Sequence, residues 1–159
     1  MGTEALKTRH ARAVAFTLVL LLTTALTPPA RAQVPDNSWT GGAGPDWSNG
    51  GNWTGSTPSS TAIVGFNVAG APNQPTLDID PTVAGMVMDA TGNNTLSLNN
   101  HTLTITGTAT QSGGTITGTG NLAVGTLNVS GGTIANTVAI SAGTAIAVNN
   151  TVDVDLSNL

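Results

Sequence analysis

Two pairs of aspartates carry most of the chemistry this sequence offers. Asp78 and Asp80 in "LDIDP", and Asp153 and Asp155 in "VDVDL", alternate with aliphatic residues. On a β-strand, residues i and i+2 point to one face and stand ~6.6–6.8 Å apart along the chain. Carboxylates so placed suit Ca²⁺, which takes hard oxygen ligands, or the acid and base of a glycoside hydrolase. They equally suit a wet outer face, and alternation alone does not separate the three. Calcium is the one metal and the one cofactor the residues suit. There is no Cys and a single His beyond the first ten residues, so the usual zinc and iron ligands are missing.

The tryptophans form a second candidate. Trp39, Trp47 and Trp53 sit among glycines and asparagines in "WTGGAGPDWSNGGNW". Indole faces stack well on pyranose rings, so the trio is a candidate carbohydrate platform. The competing use is to plug the end of a repeat structure, where each Trp buries about 150–250 Å². His101, in the turn "LNNHTL", is expected to be exposed, and no serine has the setting of a nucleophile. The Asn-x-Ser/Thr matches at Asn52, Asn93, Asn100, Asn128 and Asn149 are acceptors only in a host that glycosylates them.

Charge narrows the partners further. All four basic residues, Lys7, Arg9, Arg12 and Arg31, fall in the first 32 positions. That stretch has a basic front, an apolar middle from Ala13 to Leu26, Pro28-Pro29, and a small-x-small end at Ala30-Arg31-Ala32. These are the three parts of a secretory signal peptide. Its apolar run of about fourteen residues is shorter than the ~20 needed to span a bilayer. Cleavage after Ala32 would leave an acidic chain with no Lys or Arg, not embedded in a membrane. Nucleic acid is excluded as a partner, since phosphate binding rests on basic side chains. A β-helix polysaccharide lyase is excluded too, because it needs a cationic base or clamp beside an acidic substrate.

The elements that must hold these residues are strands. From 33 to 81 the chain is rich in Pro, Gly, Asn and Trp; from 82 to 159 it has no proline and no aromatic ring. In "TLSL", "TLTIT", "NLAV", "TLNV", "TVAI" and "AIAV" the apolar residues recur at every second position, the strand period. Asn-Asn, Ser-Gly-Gly and Gly-x-Gly separate the runs, residue types that accept positive φ or tight turns. A hairpin sandwich would read similarly, but these runs of three to five residues are short for one. Their spacing points elsewhere. "SGGTI" begins at Ser112 and again at Ser130, eighteen residues on, while Leu103 and Ile105 precede Leu122 and Val124 by nineteen. Stacked coils of a parallel β-solenoid return at such intervals, and each coil touches only its neighbours.

Three segments follow: a signal peptide over 1–32, a Trp-rich N-terminal cap and first strands over 33–81, and solenoid coils over 82–159. The chain stops at Leu159, three residues after "VDVDL", which reads as truncation. An uncapped coil end also invites end-to-end self-association.

The stretch "WTGGAGPDWSNGGNWTGSTPSSTAIVGFN", followed by "PTLDIDPTVAGMVMDATGNNTLSLNNHTLTITG" and "QSGGTITGTGNLAV", resembles bacterial secreted repeat proteins with autotransporter-like passenger regions. Trp39, Gly41, Trp47, Asn52, Trp53 and Pro58, then Leu77, Ile79, Val83, Gly85 and Leu103, carry the likeness. It implies an all-β fold, a right-handed, single-stranded parallel β-helix, displayed on or shed from a bacterial cell. Such a protein is a non-enzymatic, adhesin-like scaffold whose partners are surface glycans or other cell-surface proteins. Neither a C-terminal outer-membrane barrel nor a cell-wall sorting signal follows the coils, which leaves the anchoring route open. The rival reading is a carbohydrate-binding or glycoside-hydrolysing β-helix.

Overall fold

The structure, a computed structural model, describes residues 32–135 and 137–148. The leader, Asp153 and Asp155 lie outside the described residues. The strands are β1 (Asn37–Ser38), β2 (Ile63–Phe66), β3 (Thr82–Val83), β4 (Gly85–Met88), β5 (Thr95–Ser97), β6 (Thr102–Thr117), β7 (Gly120–Ile134) and β8 (Val138–Val148). All of them join one sheet, in the order β1-β2-β4-β6-β7-β8, with β3 and β5 also paired to β6. Every strand pairing is parallel. A hairpin sandwich requires antiparallel neighbours, so the fold is a parallel β-solenoid.

Each turn of chain crosses three ladders. One stacks β3, the start of β6, the start of β7 and the start of β8. The second stacks β1, β2, β4 and the middles of β6 and β7, ending on the latter half of β8. The third stacks β5 and the ends of β6 and β7, and single bridges extend it downward through Thr76 and Asp46. The spacings seen in the sequence are ladder partners: Leu103 lies on Leu122, Ile105 on Val124, and Ile116 on Ile134. Alternation puts their side chains inside. Leu103, Leu122, Ile116, Leu127 and Val129 are fully buried, each contributing about 1.5–3 kcal/mol through removal of apolar surface from water.

The short runs do not end at their glycines, as the sequence suggested. β6 runs 16 residues and β7 runs 15, each bending at the corners. The second glycine of each "SGG" makes that possible. Gly114 and Gly132 have φ of 67° and 82°, a region that disfavours any side chain. A Cβ on Gly132 would also lie 2.6 Å from the carbonyl oxygens of Gly113 and Gly114 in the coil beneath. The motif recurs because successive corners nest on each other. The Asn-Asn turn behaves likewise, with Asn99 and Asn100 at φ 48° and 66°.

Candidate functional site

Of the three places where the sequence put candidate chemistry, the Trp trio and the Asp78/Asp80 pair lie among the described residues, and the structure gives both geometries. The indoles form one cluster at the N-terminal end. Trp39 and Trp53 meet edge to face with centroids 5.1 Å apart, Trp47 and Trp53 likewise at 4.7 Å, and both Trp47 and Trp53 tilt against Phe66. Edge-to-face contact suits the aromatic quadrupole and adds about 0.5–1.5 kcal/mol per pair beyond burial. Trp39 and Trp47 are 0% exposed and Trp53 is 4% exposed. A sugar platform needs an open indole face, and here each face is turned onto protein. The N–H of Trp39 donates to the Asn73 carbonyl at 2.8 Å and that of Trp53 to the Trp47 carbonyl at 2.9 Å.

Two asparagines that the sequence reading did not single out for this role hold the cap in place. Asn52, fully buried, accepts from the Ala43 N–H at 2.7 Å and donates to the Asp46 carbonyl at 2.9 Å. Asn37 donates to the Ser56 carbonyl at 2.6 Å and accepts from the Gly55 N–H at 3.1 Å. Together they tie the loop from residue 40 to residue 57 across the outer edge of β1, where Thr54 N–H also donates to the Ser38 carbonyl at 2.9 Å. An edge strand left open is a template for unwanted pairing, and this loop covers it. The signal for Asn52 was present in the Asn-Trp pair of the quoted motif. Burial also removes Asn52 from the exposed Asn-x-Thr acceptors.

The aspartates do not share a strand face. Leu77–Pro81 is a bend between the third ladder and the first, so the two carboxylates diverge. Asp78 reaches back to the preceding coil, accepting from the Ser48 N–H at 3.0 Å and from the Ser48 hydroxyl. Asp80 reaches forward, accepting at Oδ1 from the Thr102 N–H at 2.8 Å and meeting His101 Nδ1 at 3.0 Å. Ile79 between them is 41% exposed, not the inward partner of Leu77 that alternation implied. His101 is half-buried against Asp80 rather than fully exposed in its turn. A neutral ring donates to that carboxylate only with its proton on Nδ1.

Electrostatics follow from these bonds. Partial desolvation pushes the Asp78 carboxyl upward, but the hydrogen bonds from Ser48 outweigh it and leave the group below the ordinary 3.8. The Thr102 N–H, with help from His101, also holds Asp80 below 3.8. Both groups are anions at neutral pH, each with lone pairs committed to donors of another coil. Among the described residues no group of three or more His, Asp or Glu side chains is placed to hold a metal ion. Chemically the corner acts as a pair of clips, one to the coil before and one to the coil after.

No family model, curated protein or solved structure matches this chain. Among the described residues, no helix is long and apolar enough to cross a membrane.

Proposed function

We propose that this protein is a secreted, non-enzymatic β-solenoid that acts as a cell-surface scaffold of the adhesin-like passenger kind. The observation that carries this reading is the use of the Asp78 and Asp80 carboxylates. Their oxygens are bonded to Ser48, His101 and Thr102 of neighbouring coils, ties between coils that support a structural reading of the pair. The outward ladder positions agree, since Thr82, Thr104, Thr95, Thr115 and Thr117 present short uncharged side chains. The secretory pattern of the first 32 residues and the resemblance to passenger regions support the surface location. On this reading its partners are other surface proteins met along the stalk.

The rival is a carbohydrate-binding or glycoside-hydrolysing β-helix. A glycan array and a reducing-sugar release assay on the chain from Gln33 onward decide between them. The scaffold reading expects silence in both. Retention of any glycan class, or release of reducing ends, overturns it.

A further inference from the structure

One interior column contains a polar residue. Phe66, Met88, Gln111, Val129 and Val148 are successive ladder partners, and Gln111, alone of these, carries a carboxamide. It is 0% exposed. Its Nε2 donates to the Thr133 carbonyl of the next coil at 3.1 Å and, at 3.4 Å, to the Gly114 carbonyl of its own. Its Oε1 has no partner among the described residues. A buried amide half satisfied in this way is a net burden against an apolar side chain of the same shape, because its carbonyl oxygen has lost water and gained no donor.

The place where it sits explains its use. The pairing of β6 with β7 shifts between Gln111 and Ser112 and again between Ser112 and Thr115. At this corner the ladder is interrupted, and the coils on either side carry the same "SGGTI". Register is weakly specified in glycine-rich, near-identical strands, and a slip of two residues keeps every side chain on its own face. Apolar packing alone therefore discriminates poorly between registers. A donor that must meet Thr133 O discriminates well, because a slip removes the bond across the coils and leaves only the longer one to Gly114 of its own coil.

We infer that Gln111 is a register lock, a conformational device that fixes how the fourth and fifth passes of the second ladder stack. The cysteine-free chain makes the test direct. Thr110 and Asn128 are outward partners in the native register, whereas a two-residue slip brings Thr110 opposite Thr126. Parallel partners lie within the 4.4–6.8 Å Cα range of a disulfide. The pairs Thr110→Cys with Asn128→Cys, and Thr110→Cys with Thr126→Cys, are oxidised in three backgrounds: native Gln111, Gln111→Met and Gln111→Leu. With Gln111, only the first pair is expected to crosslink. With either apolar residue, the second pair gains a crosslinked fraction comparable to the first, while the melting temperature stays level or rises. Exclusive crosslinking of the native pair in both apolar backgrounds overturns the inference. So does failure of both pairs in both, which would make the amide a requirement for folding rather than for pairing.

Discussion

Between Asn37 and Leu98 the chain takes 20 to 30 residues to return to a ladder, whereas from Thr102 onward it takes 18 or 19. The early coils are long because loops are inserted between their strands, and those loops are held by side chains. Asn37, Asn52, Asp78, Asp80, Gln74 and Asn99 each bond a backbone group of another segment. The late coils have fewer such bonds, from Thr106, Gln111, Ser130 and Thr137, and rely mainly on the backbone ladder, glycine corners and aliphatic columns. An end must be closed by something that is not another coil, which calls for large rings and specific polar ties. A middle needs only to repeat itself.

That contrast can be broken by substitution. Trp53→Ala removes the ring that touches both other indoles and Phe66, and the expected loss is about 3–5 kcal/mol in a denaturant melt. Because coils couple only to neighbours, hydrogen exchange should then quicken at Val64 and Phe66 while Leu122 and Val124 stay protected. Uniform quickening along the whole stack would show that the cap governs every coil. In the late region, Ile134→Val deletes one methylene from a column whose members are interchangeable. Its expected cost is about 0.5–1.5 kcal/mol, read from the same melt, and a larger loss would mean those coils are less tolerant than their repetition implies.

The smallest expected effect is that of acid on the clips. Both carboxyls titrate lower in the folded chain than their ordinary 3.8. The stability they add is present above that value and is lost as pH falls through the lower folded values. The melting temperature should hold down to about pH 4 and then fall, and a double Asp78→Asn, Asp80→Asn variant should show a shallower fall. A variant curve parallel to that of the native chain would assign the acid sensitivity to other carboxylates.

How legible each region was follows the same division. The late coils were readable because equal residues stack on equal residues: Leu103 on Leu122 and Ile116 on Ile134 print the pitch directly into the sequence. The early coils hide theirs. Asn37 pairs over Val64 and Asp46 over Thr76, intervals set by loops with no periodic trace. The burial of the tryptophans followed from the shortage of other large apolar groups. The Asp78/Asp80 geometry did not follow, because "LDID" alternates like a strand while the corner before Pro81 turns it into a bend. Gln111 was invisible for another reason: a single amide in an alternating run looks outward until its partners are known.

Parallel stacking has a mechanical corollary. A pull on the two ends of such a chain loads the ladders one layer at a time rather than all at once, so it should peel instead of shear. Each layer released from the late region frees 18 or 19 residues, or roughly 60 Å of contour at ~3.3–3.6 Å per residue. A solenoid of this kind would lengthen in even steps under tension and rewind when the load is removed.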